Sequence, residues 1–118
     1  MNLSFREAIE DDIPALVTLL ADDALGQQRE DTSTPLNEAY VSAFKQINAD
    51  PNNELIVIED EQQLVGMLQL TFIPYLNRIG SSRCLIEGVR IHSDYRGKGL
   101  GTTFFNWAIA RAESKNCR

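Results

Sequence analysis

From residue 84 to residue 114 the chain passes from an apolar stretch, through a glycine-rich turn, into an amphipathic segment. The stretch is Cys84-Leu85-Ile86-Glu87-Gly88-Val89-Arg90-Ile91, the link is His92-Ser93-Asp94-Tyr95, and the turn is Arg96-Gly97-Lys98-Gly99-Leu100-Gly101. Glycine at 97, 99 and 101 removes every Cβ from one side of this turn. Backbone N–H groups are then free to point into one concavity. A helix beginning beside them adds its unpaired donors and the positive end of its dipole. Arg96 and Lys98 put positive charge at the rim. A strand, such a turn and a helix in that order make a cradle for a phosphate or a pyrophosphate.

Charge supports an anionic ligand at that end of the chain. The net charge of the 118 residues is -6, which argues against a nucleic-acid partner, since nucleic-acid binders carry a basic face. The total conceals a split. Residues 1–88 hold five Lys/Arg against fifteen Asp/Glu, whereas residues 89–118 hold six against two. An acidic body with a basic C-terminal third fits an anion site there. No apolar run approaches the ~18 residues a membrane span needs. The N-terminus, Met1 to Glu7, has neither a basic leader nor an apolar stretch, so no secretory signal is expected. Cys84 and Cys117 form neither a metal-ligand cluster nor a disulfide framework; no metal is expected, and a reducing, cytoplasmic setting fits best. The length suits a single domain spanning residues 1–118.

Leu3 to Ala8 alternates, with Leu3 and Phe5 inward, as a short strand does. Glu10-Asp11-Asp12 followed by Ile13-Pro14 reads as a helix start, because acids suit the first turn and proline is tolerated there. Ile13, Leu16, Val17 and Leu20 then fall at helical spacing. Residues 25 to 35 are polar and aperiodic, which predicts a loop. A second helix is expected from Leu36 to Asn48, with Tyr40, Phe44 and Ile47 on one face. Glu54 to Glu59 and Leu64 to Phe72 read as a hairpin joined through Asp60-Glu61-Gln62-Gln63, and Leu76 to Ser82 as a connection. Cys84 to Ile91 is a further strand in which Gly88 marks a bulge or a close backbone approach. The last helix is expected from about Gly99 to Ser114, with Leu100, Phe104, Trp107, Ala108 and Ala112 inward. Trp107 is on that stripe and reads as core.

Two nucleotide signatures do not fit the turn. A dinucleotide fingerprint needs G-x-G-x-x-G and a later acid, and Thr102 stands where the third glycine would fall; the P-loop pattern G-x-x-x-x-G-K-[ST] is also absent.

The run from Val89 to Gly101 resembles the cofactor-binding signature of the GNAT superfamily of acetyl-CoA-dependent N-acetyltransferases: an apolar strand, a short polar turn, then Arg/Gln-x-x-Gly-x-Gly/Ala opening a helix. Arg96, Gly99 and Gly101 fill the three named places. The resemblance is strong over residues 84–113 and rests on the order of elements before that. It implies an α+β, GNAT-like acyl-CoA N-acyltransferase fold, with a mixed, mostly antiparallel sheet flanked by helices. It also implies that amides of Arg96, Gly97, Lys98, Gly99, Leu100, Gly101 and Thr102 hold the CoA pyrophosphate, with Gly97, Gly99, Gly101 and Thr102 the best candidates. Val89, Arg90 and Ile91 match the strand whose backbone pairs with the pantetheine arm. The implied chemistry is direct attack by a primary amine on the thioester of acetyl-CoA, with a strand-bulge N–H polarising the carbonyl.

For the general base the preferred candidate is Glu87, bracketed by Ile86 and Gly88, where partial desolvation would raise its pKa. Its bland alternative is a solvent-facing strand residue paired with Arg83 or Arg90. His92 is the second candidate, otherwise a solvated turn residue. Phe72 and Tyr75, at the end of the second hairpin strand, are candidates for lining the acceptor pocket, core packing being the competing role for Phe72. Gln27, Gln28 and Arg29 lie where the family contacts its acceptor; a solvated loop is the alternative.

Family members continue beyond this point with further strands and a helix, which supply a tyrosine acid and half of the cofactor cleft. The resemblance therefore implies a domain truncated at its C-terminal end, lacking the usual C-terminal strands, with an exposed sheet edge able to pair with another copy as a homodimer. The acceptor is expected to be a small-molecule or protein amine; the acidic body favours a cationic one, such as a polyamine, an aminoglycoside or a lysine side chain. The alternative reading is a non-catalytic acyl-CoA-binding or regulatory module, and behind it a different anion-binding α+β domain.

Overall fold

A computed structural model describes residues 2–117. Strand β1 (Leu3–Glu7) leads through a single 3-10 turn at Glu10–Asp12 into helix α1 (Ile13–Leu20). Arg6 fixes this entry. Its Nη1 and Nη2 donate to the two Asp12 carboxylate oxygens at 2.8 and 2.9 Å, and its Nε donates to Glu59 at 2.9 Å. The guanidinium, with help from the Ile9 amide, holds the Asp12 carboxyl below its ordinary range. Ile13, Leu16, Val17 and Leu19 are buried, and Pro14 occupies the first turn as expected.

The polar segment expected to be a loop contains a short helix, α2 (Ala24–Arg29). Two local devices make it. Asp23 accepts from the Gly26 amide as an N-cap,. Gly26 is buried so tightly that a Cβ there would fall 2.0 Å from the Leu20 carbonyl oxygen. Neither device leaves a hydrophobic period, so pattern reading passes over it. Helix α3 (Glu38–Ala49) follows, capped by Asn37, with Phe44 buried.

Strands β2 (Asn53–Asp60), β3 (Gln63–Pro74) and β4 (Ser82–Ile91) complete an antiparallel sheet in the order β1-β2-β3-β4. Among the described residues the one parallel pairing is an isolated bridge between Ser82 and Cys117. The β2–β3 connection tightens to two residues, Glu61 and Gln62, both at positive φ, the twist a two-residue hairpin favours. Between β3 and β4 runs α4 (Asn77–Gly80), a single exposed turn whose Arg78 and Ile79 are left-handed.

Opposite Leu68 the register slips: Met67 pairs with Arg90 and Gln69 with Glu87. Gly88 and Val89 thus share one partner position, and Gly88 lies at φ +61°. The bulge expected at Gly88 is present.

Period-2 alternation buries both faces of the sheet. Ile56, Ile58, Leu68, Leu70 and Phe72 pack beneath helix α5 (Leu100–Ser114), against its Leu100, Phe104 and Ala108. Val57 and Met67 face the other way, into a second core with α1 and Phe44 of α3. Trp107 joins the first core, stacked on Phe5 with ring centroids 4.7 Å apart. Arg111, near the end of α5, donates through Nε to the buried carboxylate of Glu54 at 2.9 Å. Helix α5 comes unusually close to the sheet at Gly66, where a Cβ would lie 2.3 Å from the Phe104 ring.

Candidate functional site

β4 delivers the chain to a 3-10 turn, Ser93–Tyr95, and then to the glycine-rich turn at the mouth of α5. Gly97 and Gly99 are left-handed at φ +77° and +76°. Gly99 occupies the N-cap position of α5, where it offers no side-chain acceptor to the helix. Among the described residues, the amides of Gly97 through Thr102 have no hydrogen-bond acceptor. Six consecutive donors, the first turn of a 15-residue helix among them, are left for a ligand. A Cβ built at Gly97 or Gly99 meets nothing within 4 Å, so their outer side is open; at Gly101 it would reach the Ile91 Cδ1 at 3.8 Å. Leu100 contributes its backbone alone, its side chain being buried in the core. The Lys98 ammonium lies 5.3 Å from the Tyr95 ring centroid at the rim. The geometry suits an anion of several oxygens lying across a helix start.

Arg96 makes bonds within the fold that the sequence did not show. Its amide donates to the Ser93 carbonyl at 3.3 Å, so this N–H is not available to a ligand. Its guanidinium donates to the Ile91 carbonyl at 3.1 Å, to the Asp22 carbonyl at 3.2 Å and to the Asp22 carboxylate at 3.4 Å. Arg90 leans the same way, its Nε 3.8 Å from the Asp23 carboxylate and its Nη1 donating to the Val89 carbonyl at 3.0 Å. Both arginines therefore tie the cradle and the end of β4 to the elbow between α1 and α2. Asp23 also caps α2, and its carboxyl is held below the ordinary range, first by the Gly26 amide and then by the nearby arginines. Asp22 and Asp23 are the residues beside the candidate site to which no sequence signal pointed. Asp22 stands 74 positions before Arg96, and Asp23 lies equally far in sequence from the turn, so no local motif connects them to it.

Val89, Arg90 and Ile91 lie at the end of β4, a sheet edge among the described residues. Glu87 shares their strand but is exposed, opposite Gln69. The partial burial expected of it is not found among the described residues. His92 is half-buried: its Nδ1 accepts from the Asp94 amide at 3.1 Å, capping the 3-10 turn, and its own amide donates to the Val65 carbonyl at 2.7 Å. Phe72 is 5% exposed beneath α5; its assignment to the acceptor surface gives way to core packing. Tyr75 is open to solvent under the Arg83 guanidinium, which lies 5.0 Å from its ring centroid. Gln28 and Arg29 are exposed on α2, just past the elbow that the two arginines hold. No cluster of metal-ligating side chains occurs among the described residues.

The model of the Acetyltransferase (GNAT) family matches residues 15–118. Comparison with curated proteins gives no match. Among solved structures, a transcriptional regulator from Bacillus halodurans C-125 is 50% identical with a TM-score of 0.92, over 99% of this chain and 78% of that one. A protein described as a candidate acetyltransferase from Agrobacterium tumefaciens str. C58 is 29% identical with a TM-score of 0.82, over 97% of this chain and 76% of that one. A predicted acetyltransferase from Clostridium acetobutylicum, solved with acetyl-CoA, shares the fold at 18% identity and a TM-score of 0.73, over 99% of this chain and 77% of that one.

Proposed function

Because the chain belongs to the GNAT acetyltransferase family, we propose that it moves an acetyl group from acetyl-CoA to a primary amine by direct attack on the thioester. The observation that carries this reading is the row of unclaimed amides from Gly97 to Thr102 at the mouth of α5. These residues would grip the pyrophosphate, with Lys98 adding charge at the rim. The backbone of Val89, Arg90 and Ile91, at the sheet edge beyond the Gly88 bulge, would align the pantetheine arm. Acetyl-CoA supplies the activated acyl group. The protein supplies orientation, a bulge N–H to polarise the carbonyl and, at Glu87, a carboxylate to take one proton from the incoming ammonium. As the C–N bond forms the thioester C–S bond breaks, and CoA leaves as a thiolate that takes up the second proton shed by the nitrogen. Arg96 acts as a positioning residue, holding the turn against Asp22.

A calorimetric series with CoA, dephospho-CoA and pantetheine tests the grip. Affinity should fall little on loss of the 3′-phosphate and at least ~100-fold on loss of the pyrophosphate, several charge-assisted hydrogen bonds going with it. Equal affinity for all three would defeat the reading. Thiol release from acetyl-CoA over a panel of amines then tests the chemistry.

A second reading, an acyl-CoA-responsive regulatory module, draws on the relative that is 50% identical and described as a transcriptional regulator. CoA binding without thiol release to any amine would favour it. The negative net charge of this chain weighs against direct DNA contact.

A further inference from the structure

We infer that the acceptor amine carries an apolar group about the size of a phenyl ring, seated in the cavity between α1, α3 and the sheet. This rests on the transferase reading above and narrows it to a substrate class. The cavity holds about 140 Å³. It is an apolar groove open to solvent on one side, at Ala43. Its volume is close to that of a space that takes one benzene ring, so it suits one ring or a branched alkyl group.

Its floor is apolar, formed by Ile13, Val17, Phe44 and Met67, all buried. Two polar side chains, Tyr40 and Gln69, touch it. The Tyr40 hydroxyl is already engaged, donating to Glu30 at 2.7 Å and accepting from the Asp31 amide at 2.8 Å. No acidic side chain lines the space. A polyamine lying there would find no carboxylate partner for its other ammonium groups and would cover the apolar floor with charge. The acidic body of the chain therefore does not set the character of this seat.

Position connects the cavity to the reaction site. Gln69 lies directly opposite Glu87, and Met67 opposite Arg90, in the β3–β4 pairing. Residues so paired share a sheet face with Cβ atoms about 4.5–5.5 Å apart. A ring in the cavity thus lies along the wall that leads to Glu87 and the Gly88 bulge. An amine one or two methylenes from that ring enters as an ammonium toward a carboxylate, a charge-complementary approach.

The test uses ethylamine, phenethylamine and spermidine at saturating acetyl-CoA, with the chain and its Ala43→Phe variant. Ala43 is exposed at the mouth of the cavity, so its enlargement fills the opening without disturbing the core. Phenethylamine should exceed ethylamine in kcat/KM by at least ~10-fold, an apolar-pocket effect of the usual size. Ala43→Phe should erase that advantage and leave the CoA dissociation constant unchanged. A preference for spermidine, or an unaltered profile in Ala43→Phe, would overturn the inference while leaving the acetyltransferase reading intact. Direct binding separates the two further. Met67 is one of two methionines in the chain, and its methyl NMR resonance reports on the cavity floor without any CoA. A shift with phenethylamine but no acetyl transfer keeps the seat and removes the transferase; no shift at any amine concentration removes the seat.

Discussion

Position 99 is left-handed at φ +76° and has open space where a Cβ would project, so conformation, not crowding, demands glycine there. A β-branched side chain in that region costs roughly 1–2 kcal/mol. Gly99→Val should therefore lower stability by about that amount in urea unfolding and weaken CoA by at least ~10-fold. Gly101 is different: it lies inside the helix, and a Cβ there would make only an ordinary contact with Ile91. Gly101→Ala should hold stability level or raise it by up to about 1 kcal/mol, with the smaller loss of CoA affinity. Calorimetry on the two variants checks the contrast. At the other end of the chain, Asp12 is the titrating partner of Arg6. A carboxyl depressed by such pairing contributes stability that is complete above its unfolded value of 3.8 and is lost as pH falls through its folded pKa,. Asp12→Asn should remove that share, so its urea midpoint should run below the parent's near neutrality and converge on it below about pH 4.

Among the elements, the β4–turn–α5 unit was the most legible in the sequence, because its information is local. Glycine spacing, a charged rim and a 3.6-residue apolar stripe lie within 31 consecutive residues, 84–114. The Gly88 bulge was legible for the same reason, a lone glycine inside an apolar run. Helix α2 was not, since it depends on one cap and on Gly26 packing against the Leu20 carbonyl. The tether from Arg96 to Asp22 was not legible because that partner is fixed by tertiary structure; a basic residue beside a phosphate cradle looks like a ligand. The cavity is likewise invisible in sequence, being the gap left where α1, α3 and the sheet meet. Arg96→Ala tests the tether. The Arg96–Asp22 pair is about half exposed, so unfolding should shift by less than about 1 kcal/mol. CoA affinity should nevertheless fall roughly tenfold as the turn loses its hold on α1. Equal affinity in the variant would return Arg96 to a bystander role.

For the whole molecule, the sheet carries one core on each face, and the proposed cofactor and acceptor sites meet where β4 forms its edge. The helix and the strand that frame the proposed cofactor site converge on a single position in β3. A Cβ at Gly66 would lie 2.3 Å from Phe104 of α5 on one side and 2.8 Å from the Arg90 carbonyl of β4 on the other. Overfilling of this kind costs about 1–3 kcal/mol. Gly66→Ala should lower the thermal midpoint and the CoA affinity together, and adding Phe104→Leu, which clears the helix side, should recover part of both. The bare backbone at 66 is the pin against which the two walls of the proposed ligand cleft are set. A single methyl group there would act as a wedge, prying strand and helix apart and changing what the protein can hold without ever touching it.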